Sequence, residues 1–453
     1  MGECNRLLVT LFFFELFITK MKVKKSIIRN ISLVSVALLA TACSPDEEIF
    51  HDNSKVDPAI VDAVTIMPNQ KRLIADGNAQ IELQPTVFTK SGTQVPDTRV
   101  DDDWIEYTSD TPGVVAGRVI SIADVSLVGK TVTVKARVKT TGKESDPVSF
   151  SVIASKKDQF ANELVIPVVF HILQTKDDID NYGGEFKLER IEMQLKRLNN
   201  MFSGAVSHNP VGVNTNIRFE MAQYDQYGNR LVEPGVDRKT IADGAFSKKD
   251  GSDIDSLITA ERLLWSADDY LNVWLVSDRK GVVSDFANDV TAKCAPCYVK
   301  AATADAPKGL KLQEYAGQAL KPSQAGIIYK LSELDVAERS FFVSNNNKKQ
   351  GYNELGYYIG LFYGLLPTCN YSNTKAGTDY CDDTIDYAAT STGGNKDWYK
   401  TMDGCYFRAE NIMDDPRGVH CSVSQDQTIR MRWIMNNCVG RMQWKSTFAL
   451  SGK

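Results

Sequence analysis

The residues with the greatest potential for chemistry lie at positions 352–365, which read YNELGYYIGLFYGL. Asn353 and Tyr357 are four positions apart, so a helix would place both on one face, beside the carboxylate of Glu354. A carboxylate next to metal-binding side chains can act as general base toward a metal-bound water. Asparagine, however, is a poor zinc ligand, and tyrosine must lose a proton with a pKa of about 10 before it binds a metal well. The stretch keeps a candidate base but lacks the side chains that normally hold its metal.

The same spacing resembles the zinc-binding helix of the metzincin metalloproteases, whose pattern is HExGHxxGLxH. Four positions of that pattern match in this chain: Glu354, Gly356, Gly360 and Leu361. The three histidine positions hold Asn353, Tyr357 and Tyr363 instead. In metzincins the second glycine lets the chain leave the helix sharply, so that the third histidine can close the site. The resemblance therefore implies a helix exit at Gly360.

Two downstream segments extend the resemblance to the pappalysin-like metzincins. Residues 379–387, DYCDDTIDY, resemble a DTP segment of that family, with Ile385 where proline is usual. Residues 411–415, NIMDD, resemble its Met-turn, which places Met413 beneath the metal position, and the following QTIRMRW resembles its closing helix. The resemblance covers roughly residues 163–433. It implies an α/β metzincin-type domain whose family cofactor is zinc.

The replaced ligands imply that this domain is catalytically inactive. Zinc binding contributes on the order of 10 kcal/mol or more at structural sites, and the loss of three imidazoles removes most of it. We therefore predict no zinc, and Glu354 becomes a vestigial general base without an acidified water. Two alternatives stay open. The tyrosines could be core residues of a helix unrelated to proteases, or an active enzyme could use unusual ligands drawn from Tyr357, Tyr363, Asp383, Asp414 and His420.

The N-terminus is typical of an exported lipoprotein. Residues 21–42 combine a basic start, a short apolar run and small residues before Cys43, which we interpret as a signal peptide and a lipidated cysteine. Residues 1–20 are interpreted as a mis-called upstream start, and residues 43–56 as an acidic tether. The acidic DEE behind Cys43 favours an outer-membrane lipoprotein exposed at the cell surface, with the lipid as its only membrane contact.

Short alternating apolar runs separated by turn residues predict an all-β, Ig-like sandwich over residues 57–156. From residue 157 to residue 453 the pattern changes to α/β. The apolar run at residues 163–173 predicts a central strand, in which His171 is expected to be a satisfied core histidine, and residues 188–202 predict an amphipathic helix with Met193 on its packed face. The predicted fold is thus multidomain: an Ig-like sandwich followed by the metzincin-type domain.

Cysteines and acidic residues suggest two further features. Because exported proteins meet oxidising conditions, we predict disulfides among six candidates: Cys294, Cys297, Cys369, Cys381, Cys405 and Cys421. Calcium is possible at a run of carboxylates within the DTP-like segment: Asp379, Asp382, Asp383 and Asp386. A solvated acidic loop would explain the same run.

The net charge of -5 and the lack of a basic stripe with interleaved aromatics argue against a nucleic-acid partner. The leading hypothesis is a surface pseudoprotease that binds protein, peptide or glycan, with Tyr357, Tyr358 and Tyr363 supplying aromatic surface. The alternatives are an active metal-dependent endopeptidase and an adhesive or structural protein that works through the Ig-like domain.

Overall fold

The computed structural model describes residues 57–96, 99–181, 184–205, 209–245, 252–276, 297–300, 304–331, 334, 355–370, 378–388, 399–402, 405–414 and 420–453. The predicted signal peptide, Cys43 and the tether lie outside these residues. None of the helices in the described ranges combines the length and the apolar character that crossing a bilayer requires.

The described residues between 57 and 156 form strands and short 3₁₀ turns but no α-helix. The strands are β1 (Val61–Pro68), β2 (Arg72–Ile74), β3 (Ile81–Thr89), β4 (Ile105–Ser109), β5 (Val119–Ile120), β6 (Thr131–Val138) and β7 (Val148–Ile153). They form one sheet in the order β1-β3-β5 and another in the order β2-β7-β6-β4. The alternating burial along β6 shows the period of two that a strand with one buried face requires.

The chain divides into two units. The described part of the first unit holds residues 57–65, Thr86–Glu106 and Arg137–Glu144. Its buried side chains include Val64, Val87 and Trp104. The second unit holds Ile66–Pro85, Tyr107–Ala136 and Ser145–Lys453, and it contains every candidate residue of the zinc-helix region.

The second unit is built around a parallel sheet of five strands with the order β10-β8-β11-β14, in which β9 also pairs with β8. The elements of this region, in chain order, are β8 (Leu164–Thr175), α1 (Lys176–Asn181), α2 (Leu188–Phe202), β9 (Ile217–Met221), β10 (Val236–Ile241), α3 (Ser252–Ala260), β11 (Leu271–Val276), β12 (Cys297–Val299), β13 (Leu312–Glu314), α4 (Pro322–Ala325) and β14 (Gly326–Lys330). Because β8 and β11 are buried on both faces, their sequences are continuous apolar runs.

The two faces of β8 contact different clusters. Ile166, Val168, Phe170 and Ile172 lie in the main core with side chains of α2. The next residue along, Leu173, packs with α3 on the other face. This alternation follows from the strand period and leaves the main core on one side of the sheet.

The remaining described elements follow β14. They are α5 (Leu355–Phe362), β15 (Cys369–Asn370), β16 (Tyr387–Ala388), β17 (Tyr399–Met402), β18 (Cys405–Arg408), α6 (Gln425–Asn437) and α7 (Phe448–Ser451). The N-terminus of α6 carries a capping box, in which Ser424 accepts the Gln427 N–H and the Gln427 side chain accepts the Ser424 N–H. Together with the strands and helices given above, these elements make the chain a mixed α/β protein with several sheets.

Several sequence predictions for this unit are confirmed. The run at 163–173 is β8, which lies between β10 and β11, and α2 has the predicted bounds Leu188–Phe202. His171 is fully buried, with Nδ1 at 2.8 Å from Asp237 Oδ2 and Nε2 at 3.0 Å from Asn272 Oδ1. The prediction that Met193 lies on the packed face of α2 is wrong, because this residue is 38% exposed. The apolar stripe of α2 continues instead to Met201 and Phe202.

The disulfide prediction is wrong for Cys369, Cys381 and Cys421, which are buried thiols and take part in no disulfide. Burial raises the pKa of the Cys381 thiol, and neighbouring Asp379 raises it further. In such surroundings a cysteine behaves as a small apolar residue. Cys294 lies outside the described residues, and only the backbone is described at Cys297 and Cys405.

A thiol titration tests this correction. Because the thiolate is the reactive form, we expect Cys369, Cys381, Cys421 and Cys438 to resist Ellman's reagent in the native protein. Protein denatured without reductant should then expose these thiols. If alkylation and mass spectrometry of the denatured, unreduced protein found any of them in a disulfide, the structural assignment would be wrong.

Candidate functional site

Helix α5, the counterpart of the zinc helix, is buried on every side. All residues from Leu355 to Phe362 are buried, and they belong to the main core with α2 and the sheet. A helix that is apolar all round belongs in a core. The predicted site residues Asn353 and Glu354 lie outside the described residues.

The expected exit at Gly360 is wrong, because the helix continues past this residue. The Tyr363 N–H still donates to the Ile359 carbonyl at 3.0 Å, and the helix then ends at Gly364, whose φ is 81°. The N–H groups of Gly364 and Leu365 donate to the carbonyls of Leu361 and Gly360. This pair of bonds is a Schellman motif with Gly364 at its left-handed position. Residue 363 therefore belongs to the last helical turn and does not turn back toward residue 357.

Close packing explains the two glycines inside α5. A Cβ at Gly360 would lie 2.8 Å from Met413 Sδ, and a Cβ at Gly356 would lie 2.9 Å from Met201 Cε. The structure thus brings the Met-turn residue Met413, which is fully buried, against the helix. The predicted proximity of Met413 to α5 is present in the structure. Close packing alone can explain why positions 356 and 360 are glycines, without a role in metal binding.

Both described tyrosines at ligand positions are core residues. Tyr357 is 4% exposed and Tyr363 is fully buried. The hydroxyl of Tyr363 donates to Gln443 Oε1 at 3.0 Å, because the Gln443 amide nitrogen is itself donating to the carbonyls of Ala267 and Gly440. Burial raises the pKa of Tyr363 above its ordinary value. A protonated phenol bonded to an amide does not fit zinc, which needs the deprotonated ligand.

The expectation that these tyrosines supply aromatic surface is therefore wrong. Tyr358 is 1% exposed, and its ring packs edge-on against Tyr329 and Tyr357, with centroids 5.4 and 5.7 Å apart. Edge-to-face contacts of this kind stabilise a core. A partner could not reach these rings without unfolding the helix.

Two arginines hold the C-terminal end of α5. Arg441 Nε donates to the Phe362 carbonyl at 2.9 Å, and its guanidinium carbon lies 3.5 Å from the centre of the Phe362 ring. Arg430 Nε donates to the Gly364 carbonyl. Cations at this end of a helix satisfy its last carbonyls and oppose its dipole. The sequence analysis missed both arginines, and no local sequence signal identifies them.

The carboxylates of the DTP-like segment accept hydrogen bonds from the protein. Asp379 accepts from the Cys381 N–H at 2.9 Å and from the Thr384 hydroxyl at 2.7 Å. Asp383 accepts from the Ser424 hydroxyl at 2.7 Å and from the Asp426 N–H at 3.0 Å, so it caps the start of α6. Within the described ranges, no three Asp, Glu, His or Cys side chains converge as a metal site. Calcium at Asp379, Asp382, Asp383 and Asp386 stays a prediction.

The Asp and His members of the unusual ligand set, Asp383, Asp414 and His420, do not converge as a metal site among the described residues. Asp414 accepts from the Thr368 hydroxyl at 2.7 Å and from the Asn411 N–H at 2.9 Å, which holds the Met-turn closed. His420 is 1% exposed. Asp383 is committed to the cap of α6, as described above. Asp383 and Asp414 therefore have structural roles in the fold.

No protein-family model matches the chain, and neither does any curated protein. Several solved structures do. A mutant promirolysin of Tannerella forsythia matches at 16% identity and a TM-score of 0.38, over 64% of this chain and 86% of that one. Mature mirolysin of Tannerella forsythia in complex with a cleaved peptide matches at 17% identity and a TM-score of 0.39, over 64% of this chain and 97% of that one. Likenesses this weak carry no conclusion about the activity of this chain.

The Schellman ending of α5 can be tested with two glycines that have the same backbone angle. Gly364 and Gly92 both have a φ of 81°, but a Cβ at Gly364 would meet Ile434 at 2.8 Å, whereas a Cβ at Gly92 would meet nothing within 4 Å. Gly92→Ala should lower the free energy of unfolding by about 1–2 kcal/mol through strain alone. Gly364→Ala should lower it by roughly 1–3 kcal/mol more through overpacking. Equal losses in chemical denaturation would contradict the close contact with Ile434, and a smaller loss for Gly364→Ala would contradict the left-handed helix end.

The Asp383 cap predicts a pH dependence of stability. Burial, with the nearby Asp426 charge, raises the pKa of Asp383 to about 7, compared with about 3.9 in an unfolded chain. Between these values the folded state binds more protons, so this group's contribution to the free energy of unfolding falls as pH rises. Asp383→Asn should give a flatter stability profile from pH 4 to pH 7, measured by denaturation in EGTA, than the wild type.

The exposed neighbour Asp382 provides the matched control. Asp382→Asn should keep the wild-type slope of stability against pH. If Asp383→Asn and the wild type had the same slope, the buried carboxylate would not be the titrating group. Repeating the wild-type series with calcium in place of EGTA tests the calcium prediction, because a bound cation would raise stability most where the carboxylates are ionised.

Proposed function

We propose that this chain is a pseudoprotease: a domain related to the pappalysin-like metzincins that does not hydrolyse peptides and instead binds protein, peptide or glycan. Its ordered motifs, from the IPVVFHIL strand to the Met-turn, support the family relationship. The packing of Met413 against Gly360 supports it as well. We further propose that Cys43 is lipidated, that the protein faces outward from the outer membrane, and that an Ig-like segment separates the anchor from the protease-like domain.

One observation carries the proposal that the site is inactive. Tyr363, at the third ligand position, lies in the last turn of α5, and its hydroxyl donates to Gln443 inside the core. The first and second ligand positions are also not histidines. A catalytic zinc needs three protein ligands and an open position for water. Compared with the metzincin pattern, both the ligand side chains and the backbone path at residue 363 differ. A single substitution back to histidine therefore cannot restore a zinc site.

A histidine-restoration series tests this proposal on the soluble form that begins at Ser44. We expect the wild type, purified without chelator or metal column, to contain far less than one zinc per chain by mass spectrometry. Asn353→His with Tyr357→His should create a weak two-histidine site. Adding Tyr363→His should not tighten zinc binding, because residue 363 points toward Gln443.

Tyr363→Phe is the control for folding in this series, since it removes the phenol bond to Gln443 but keeps the ring. It should cost about 1 kcal/mol of stability, or somewhat more because a buried amide oxygen loses its donor. The zinc affinities are then compared among variants with similar melting temperatures. Tighter binding by one hundredfold or more in the triple variant, or one zinc per chain in the wild type, would overturn the proposal.

A further inference from the structure

A groove of about 360 Å³ lies in the second unit, and no residue of α5 lines it. Its walls come from three connecting segments. The first is the turn at residues 76–79 between β2 and β3, the second is residues 155–160 after β7, and the third consists of residues 203–204 and 209–216 between α2 and β9. Ser422 also lines the groove. Its volume is within the range of small-molecule sites.

Hydrogen bonds within the protein fix these walls. Asp76 Oδ1 accepts the N–H groups of Asn78 and Ala79, each at 2.8 Å, which closes the first turn. Asn214 Oδ1 accepts the Asn216 N–H at 2.9 Å, and Asn216 Nδ2 donates to the Phe160 carbonyl at 2.9 Å, which ties the third segment to the second. The walls are therefore organised before any ligand arrives, which reduces the entropy lost on binding.

The same residues leave polar groups that no described part of the chain engages. These groups are Asp76 Oδ2, the side-chain amide of Asn78, Nδ2 of Asn214 and the ammonium of Lys157. Asn78, Lys157 and Asn214 are exposed, so a ligand can reach them from solvent. Together they supply donors and acceptors from a single concave surface.

We propose that this groove binds a neutral oligosaccharide. One carboxylate and one ammonium balance each other, so the lining does not favour an ion of either sign. Sugar hydroxyls both donate and accept, as do the side-chain amides of the asparagines in the lining, and the apolar parts of the lining suit the C–H faces of a sugar ring. An extended peptide would instead pair with a free strand edge, and the walls here are turns and loops. This site makes the glycan alternative of the proposed function specific, and it rests on that binding role but not on the inactivity of the zinc-helix region.

The test is saturation-transfer NMR followed by calorimetry on the soluble form, with maltotriose, cellotriose and triacetylchitotriose as probes and acetyl-tetraalanine amide as the peptide probe. We expect at least one trisaccharide to bind and the peptide not to bind. Asn78→Ala and Asn214→Ala should each weaken that trisaccharide about fivefold, as the loss of one hydrogen bond implies. Asp76→Asn should also weaken it, while it keeps the acceptor that closes the turn.

Asn436→Ala is the matched control, because Asn436 is an exposed asparagine that does not line the groove. It should bind the trisaccharide as the wild type does. Absence of binding by all three trisaccharides, binding of the peptide alone, or affinities that Asn78→Ala and Asn214→Ala leave unchanged would each overturn the proposal. A zinc-containing or peptidase-active wild type would affect only the pseudoprotease proposal, so the two failures can be told apart.

Discussion

The complete burial of α5 is the constraint on which the rest of the second unit depends. A helix with no exposed side must be packed by its neighbours all round, and close packing leaves little room for error. Gly356 lies against Met201, Gly360 lies against Met413, and Gly364 ends the helix against Ile434. These contacts fix the positions of α2, the Met-turn and α6 relative to one helix. The glycine spacing that resembles a protease motif is thus also the spacing that this packing requires.

The same burial decides the chemistry that remains possible. In a dry core a polar side chain is tolerated only when it is hydrogen-bonded. Tyr363 satisfies this requirement through Gln443, and Arg430 and Arg441 do so through the carbonyls at the helix end. The imidazole of His171 is held by hydrogen bonds with Asp237 and Asn272 in the sheet. Polar groups in this core therefore serve the fold, and none of these contacts leaves a side chain exposed for catalysis.

The sequence allowed much of the sheet to be predicted, because buried parallel strands and an amphipathic helix have strong periodic signals. The strand β8, the helix α2 and the core role of His171 follow from those signals alone. The end of α5 could not be predicted in the same way. Gly360 and Gly364 both permit a helix exit, and the choice between them depends on Ile434 and Met413, which lie about 70 and about 50 residues further along the chain. The disulfide prediction failed at Cys369, Cys381 and Cys421 for a similar reason, since cysteine spacing does not reveal which thiols the fold buries without a disulfide.

The acidic segment and the groove are joined by one hydrogen-bonded junction at the start of α6. Asp383 caps α6, and Lys156 forms an ion pair with Asp426 in the first turn of that helix. Gln425 adds two bonds to the same junction, accepting from the Lys156 N–H at 3.0 Å and donating to the Ala154 carbonyl at 3.1 Å. Ser155 and Lys157, on either side of Lys156, line the groove. The junction that anchors the last helix therefore also holds one groove wall in place. A fixed polar wall is suited to binding, whereas the buried α5 is not, so a ligand of this chain is more readily accommodated in the groove than beside α5.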